Sequence, residues 1–191
     1  IAPLPVAAFS FTPNTCANES VAFQDASYVE GEAIVSWTWA FGDGSDTTTQ
    51  SPDIPDINRL YPSAGTYEAS LTVTTENGCS HTTTHTVTVL PIPEAQFSFE
   101  GGCQNEAVSF TDASQPGGGG QIASWSWTFD DPETGEDNTS SLQNPQHFFS
   151  RADTFNVQLV AGNLDGCTDT LVQPVAVTAA PEVGILAPEQ L

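Results

Sequence analysis

The chain has 191 residues, of which 24 are Asp or Glu and only two, Arg59 and Arg151, are basic, for a formal net charge of −22. So acidic a surface excludes nucleic acid and anionic lipid as partners, because both need positive charge. No apolar run approaches the roughly 18 residues of a membrane span, which argues against membrane insertion. No HExxH, G-x-S-x-G or phosphate-binding glycine loop is present either, so no enzymatic role is expected.

From Ile1 to Val6 the chain is apolar and punctuated by Pro3 and Pro5. Strand-like segments then fall near 6–11, 20–25, 34–41, 46–50, 57–61, 66–75 and 80–90. Tyr67, Ala69, Leu71 and Val73 share one face of a strand, while Glu68, Ser70, Thr72 and Thr74 share the other. Trp37, Trp39 and Phe41 alternate in the same way, and Asp43-Gly44, Ser63-Ala64-Gly65 and Asn77-Gly78 mark turns. Cys79 opens the last strand and Cys16 stands just before the second. His81 and His85 share a face of that last strand but lie about 13 Å apart, too far to ligate one metal ion.

The same text then recurs at a period of about 88 residues, which suits a whole small domain and not a solenoid unit. Phe97-Ser98-Phe99, Cys103, Val108 to Ser114 and Ser124 to Phe129 repeat Phe9-Ser10-Phe11, Cys16, Val21 to Ser27 and Ser36 to Phe41. Phe149, Phe155, Leu159 and Gly166-Cys167 answer Tyr61, Tyr67, Leu71 and Gly78-Cys79. His147 corresponds to Arg59 or a near neighbour. Gly117 to Gly120 read as a flexible hairpin tip. The joint lies at Pro91-Ile92-Pro93, giving two domains, 1–91 and 92–178, and an extended tail or linker, 179–191. About seven strands in each copy make the fold class all-β, as two tandem immunoglobulin-like β-sandwiches. Their expected cores are Trp39, Phe41, Tyr67 and Leu71, then Trp127, Phe129, Phe155 and Leu159.

Trp39-Ala40-Phe41-Gly42-Asp43-Gly44-Ser45, then Tyr61-Pro62 and Gly65-Thr66-Tyr67 leading to Leu71-Thr72-Val73, resembles the PKD (polycystic kidney disease) domain. The second copy departs from the pattern at Asp130-Asp131-Pro132 and at Asp153, so its turn must differ. The resemblance implies a non-catalytic scaffold of extracellular arrays, found in bacterial surface adhesins and as spacers in secreted hydrolases. The expected role is structural or adhesive, in a secreted cell-surface fibre. The alternative is a spacer or a carbohydrate- or substrate-binding module of a secreted hydrolase. Without an initiating Met or a basic leader, the segment reads as part of a processed, secreted protein.

Four cysteines permit three pairings. Duplication favours bonds confined to one copy, Cys16–Cys79 and Cys103–Cys167, with four buried thiols as the plainer alternative. No cofactor is required, and calcium is the one candidate. Asp43 and Asp46 crowd one turn and Asp130, Asp131, Glu133 and Asp137 its counterpart, where hard oxygen ligands suit that ion. Some PKD domains of secreted collagenases bind calcium, although acidic turns are ordinary in an acidic protein. Asn18 and Asn138 stand in N-glycosylation sequons, and Thr47 and Thr170 in Asp-Thr pairs resembling an O-glycosylation signal, so glycans are candidate partners. Trp37, Trp39, Trp125 and Trp127 fit a core better than a sugar-stacking platform. The expected partner is the chain itself, as a head-to-tail homopolymer, or further PKD domains. Ile185, Leu186 and Leu191 of the apolar tail would add a strand to a neighbour's sheet edge, unless the tail is only a linker.

Overall fold

Strict alternation of apolar and polar residues, with Thr, Val and aromatics filling the strand positions, makes both halves of the chain β-structure. The computed structural model describes residues 3–51 and 56–180. The chain divides into two compact units, Ile1–Ile92 and Pro93–Leu191. In the first, the strands are β1 (Phe9–Phe11), β2 (Thr15–Cys16), β3 (Ser20–Asp25), β4 (Ile34–Ala40), β5 (Asp46–Gln50), β6 (Ile57–Leu60), β7 (Gly65–Thr75) and β8 (Ser80–Leu90). The second holds β9 (Phe97–Glu100), β10 (Val108–Asp112), β11 (Ile122–Thr128), β12 (Thr139–Ser140), β13 (Gln146–His147), β14 (Thr154–Asn163) and β15 (Thr168–Ala176).

Each unit is a two-sheet sandwich. The first sets the sheet β1-β3-β6 against β2-β8-β7-β4-β5. In the second, β13-β10-β9 faces β12-β11-β14-β15. The immunoglobulin-like β-sandwich is thereby shown for both copies. Registers agree residue by residue, with Trp39 opposite Leu71 in one copy and Trp127 opposite Leu159 in the other. Short β2, absent from the expected strands, runs parallel to the end of β8. Its counterpart is the parallel bridge Cys103–Thr178.

The inward faces bury one indole at each centre. Trp39 and Trp127 are both fully enclosed, as are Phe23, Leu71, Phe110 and Leu159. Phe23 reaches Trp39 across the sandwich at 5.7 Å between ring centroids, and Phe110 reaches Trp127 at 5.5 Å. Such tilted pairs add to the burial itself. Tyr67, expected in the core, is only half-buried, because it leans over Tyr61 at 4.4 Å and spends its hydroxyl on the Ser63 carbonyl.

Three local departures have physical causes. Val6 does not begin β1 but makes an isolated antiparallel bridge with Tyr28. The glycine run, expected as a flexible hairpin tip, is an exposed turn at Gly117, Gly118 and Gly120 but is packed at its third residue. Gly119 is buried, and a Cβ there would sit 2.2 Å from Asn163 Nδ2. The second copy's altered turn becomes a 3-10 helix over Pro132–Asn138, started by a proline and broken at Gly135. The assembly residues Ile185, Leu186 and Leu191 lie outside the described residues.

Truncating the central indole removes the contact that joins the two sheets. Trp39→Ala should destabilise the first module by about 3–5 kcal/mol in denaturant unfolding and leave the second module's transition in place.

Candidate functional site

The turn after the central Trp strand gathers the ionisable groups of each module. Gly42 leads into it at φ +77, and a Cβ there would meet the Glu68 backbone nitrogen at 2.6 Å, so only glycine fits. Asp43 Oδ1 accepts the Ser45 N–H and hydroxyl, closing the turn. Its other oxygen accepts Arg59 Nε at 2.9 Å and Nη2 at 2.5 Å. Arg59 lies 5.5 Å from the Phe41 ring centroid, within reach of a cation–π contact. Burial alone would raise the Asp43 carboxyl, but the Ser45 and Arg59 hydrogen bonds hold it below its ordinary value. Beneath them the buried Tyr61 hydroxyl donates to the Phe41 carbonyl at 2.9 Å, and burial pushes this phenol up to about 12.

The second module builds the same clasp from other residues. Arg59 faces Val21 across its ladder and His147 faces Val108, so the two residues are structural equivalents. His147 is enclosed, stacks on Phe129 at 4.2 Å and lies 3.4 Å from the buried Asp131 carboxylate. Ser150 supplies that carboxylate with its N–H and hydroxyl. Burial pushes His147 below its ordinary value, only partly offset by Asp131. Burial acts upward on Asp131 too, but the Ser150 and His147 hydrogen bonds outweigh it and hold that carboxyl low.

Four of the six candidate calcium residues are committed elsewhere. Asp43 is neutralised by Arg59, and Asp131 is enclosed with Ser150 and His147. Glu133 pairs with Arg151 at 3.0 Å, and Asp130 accepts the Asn156 N–H. Asp46 pairs with Ala40 on β5, and Asp137 is exposed on the 3-10 helix. Among the described residues no group of three or more His, Cys, Asp or Glu side chains is placed to hold a metal ion.

Of the glycosylation candidates, Asn18 and Thr170 are exposed, and Thr47 is half-buried. Asn138 spends its carbonyl on the Asp131 N–H at 2.7 Å. A cleft of about 330 Å³ opens beside His147, lined among others by Phe129, Asp137, Leu142 and Phe148. Repetition in the sequence also carried a second device whose purpose was not readable from the sequence. Asp25 accepts the Trp37 indole N–H at 2.9 Å and the Ser27 N–H, and Ser27 ties Ala8 down through both backbone groups. Asp112, Trp125, Ser114 and Gln96 repeat it bond for bond. With their indole N–H groups so engaged, Trp37 and Trp125 are held half-buried against the two cores.

Neither expected disulfide pairing is formed, since Cys79 and Cys103 are free thiols. The reason is geometric. Cys16 lies opposite Leu90, at the far end of the 11-residue strand that Cys79 opens. That separates them by about 35 Å at roughly 3.3 Å per residue, whereas a disulfide needs Cα atoms within about 7 Å. In the second module Cys103 lies opposite Thr178, and Cys167 opens β15 at the other end.

Fold and site together define a tandem of immunoglobulin-like sandwiches whose charged groups serve the turns. The PKD domain family matches residues 2–89 and again 90–179, so the chain belongs to that family and carries two such domains. A microbial collagenase of Vibrio alginolyticus is 39% identical over 72 residues, which is 37% of this chain and 8% of the collagenase. The PKD1 domain of Vibrio anguillarum Epp is 34% identical with a TM-score of 0.41, covering 47% of this chain and 96% of that domain. The PKD1 domain of the Vibrio cholerae metalloprotease PrtV gives 34%, 0.39, 47% and 98% for the same quantities.

Two outcomes follow from the clasps. Asp43→Ala leaves Arg59 without its acceptor and should lower the first module's stability by about 1.5–3 kcal/mol in denaturant titration. Because folded His147 takes a proton less readily than the unfolded chain, the second module should lose stability as pH falls through 6.5. Asp131 keeps its contribution above 3.8 and loses it as pH falls through its lower folded value. Scanning calorimetry between pH 7 and 5 should therefore show the second module's Tm falling. His147→Gln should flatten that fall.

Proposed function

We propose that the chain is a non-catalytic, extracellular segment that adds length within a cell-surface array and associates head to tail with its own kind. One observation carries this reading: in each module the chain enters at one pole and leaves at the other. The Ala7 N–H donates to His81 at the start of β8, and Leu90 at the end of β8 is held by the Ala17 N–H. Ala95 is likewise fixed to Asp169 near the start of β15, and the chain leaves at Thr178, held by Gln104. Nine residues of extended strand separate entry from exit in both cases, so each module carries the chain about 30 Å. The acidic surface keeps such a segment soluble and away from anionic polymers.

A second reading rests on the likeness to the collagenase: a spacer or substrate-presenting module of a secreted hydrolase. It predicts affinity for an insoluble substrate. Analytical ultracentrifugation over a range of chain concentrations, with co-sedimentation on fibrillar collagen, chitin and cellulose, separates the two. Growth of head-to-tail multimers with no retention on those solids is the expected result. A monomer retained on one of them would overturn the array in favour of the hydrolase module.

A further inference from the structure

Each module holds two kinds of cysteine, one at each pole. Cys79 and Cys167 follow Gly78 and Gly166 in matching turns, where their carbonyls accept the N–H groups of Thr75 and Asn163. This is the pole where the chain enters. Cys16 and Cys103 sit at the exit pole, beside Leu90 and Thr178. Each kind occurs once as a free thiol, Cys79 at the entry pole and Cys103 at the exit pole. Neither thiol has a partner within its own module, because the other cysteine of that module is about 35 Å away. Cys103 is exposed and Cys79 half-buried.

We propose that Cys103 of one copy of this chain forms a disulfide with Cys79 of a second copy, joining the exit pole of one to the entry pole of the next. The proposal rests on the head-to-tail reading above and names the covalent link within it. Its chemistry is thiol–disulfide exchange with a small disulfide oxidant of the glutathione class. The Cys103 thiolate attacks the oxidant's S–S bond, forming a mixed disulfide and releasing one thiolate. The Cys79 thiolate of the second copy then attacks Cys103 Sγ, forming the new S–S bond and releasing the second thiolate. Two electrons pass to the oxidant, and the two thiol protons end on its released sulfurs or in water. An open contact between unlike ends propagates, so the product is a linear ladder and not a closed pair.

The test uses the whole chain, isolated without reductant and exposed to oxidised glutathione at micromolar protein. Non-reducing electrophoresis should show a ladder of dimers, trimers and higher species, and peptide mass spectrometry should recover Cys79 linked to Cys103. Cys79→Ser and Cys103→Ser should each stop the ladder at dimer or below, and the double variant should remain monomeric on the gel. Monomer alone, a cyclised monomer, or Cys79–Cys79 and Cys103–Cys103 links as frequent as the mixed one would each overturn the proposal. Ultracentrifugation of the double variant tests the array by itself. If it still associates while the native chain gives no mixed link, the disulfide fails and the array reading stands.

Discussion

The antiparallel pairing of two long strands governs each module. β7 and β8 are 11 residues each, and β14 and β15 have 10 and 9, whereas the strands of the facing sheets run from 2 to 6 residues. Everything else is laid against this ribbon. The Trp strand pairs with its inner edge, the shorter sheet covers its apolar face, and its ends fix where the chain arrives and departs. Its length also forbids any bond between the cysteines at its two ends. One geometric fact thus sets the reach of the module and bars a disulfide inside it.

The turn clasp shows two solutions to one requirement. A carboxylate must be held inside the turn that follows the Trp strand, and it needs a donor stacked on the core phenylalanine. Arg59 meets the need with a planar fork that gives two N–H groups to one carboxylate oxygen. His147 meets it as a flat ring that can be enclosed more completely, because it need not carry charge. The replacement of Gly42-Asp43-Gly44 by Asp130-Asp131-Pro132 accompanies this exchange, with a 3-10 helix in place of a tight turn.

Much of this was legible in the residues. Alternation located the strands to within a residue or two in most cases, and repetition located both cores, because burial selects the same side chains at the same period. The Tyr67 error arose because alternation cannot tell a ring under the sheet from one at its rim. The disulfides were misread for a different reason. Duplication says which cysteines are equivalent, but only the parallel placement of Cys16 beside Leu90 says that the two in one copy are a strand length apart. In the acidic turns the sequence displays charge and hides the Arg and Ser donors that meet Asp43 and Asp131 through the fold.

The parallel contact at the exit pole has a mechanical consequence. β2 runs alongside the end of β8, and tension on the module draws these neighbours in opposite directions along their common axis. The Ala17-to-Leu90 hydrogen bond and its ladder neighbours are then loaded in shear, together, and do not open one after another like a zipper. The second module has the same arrangement, with Thr178 held between Gly102 and Gln104. A protein strung from such units would resist a steady pull through a few backbone hydrogen bonds beside each exit-pole cysteine.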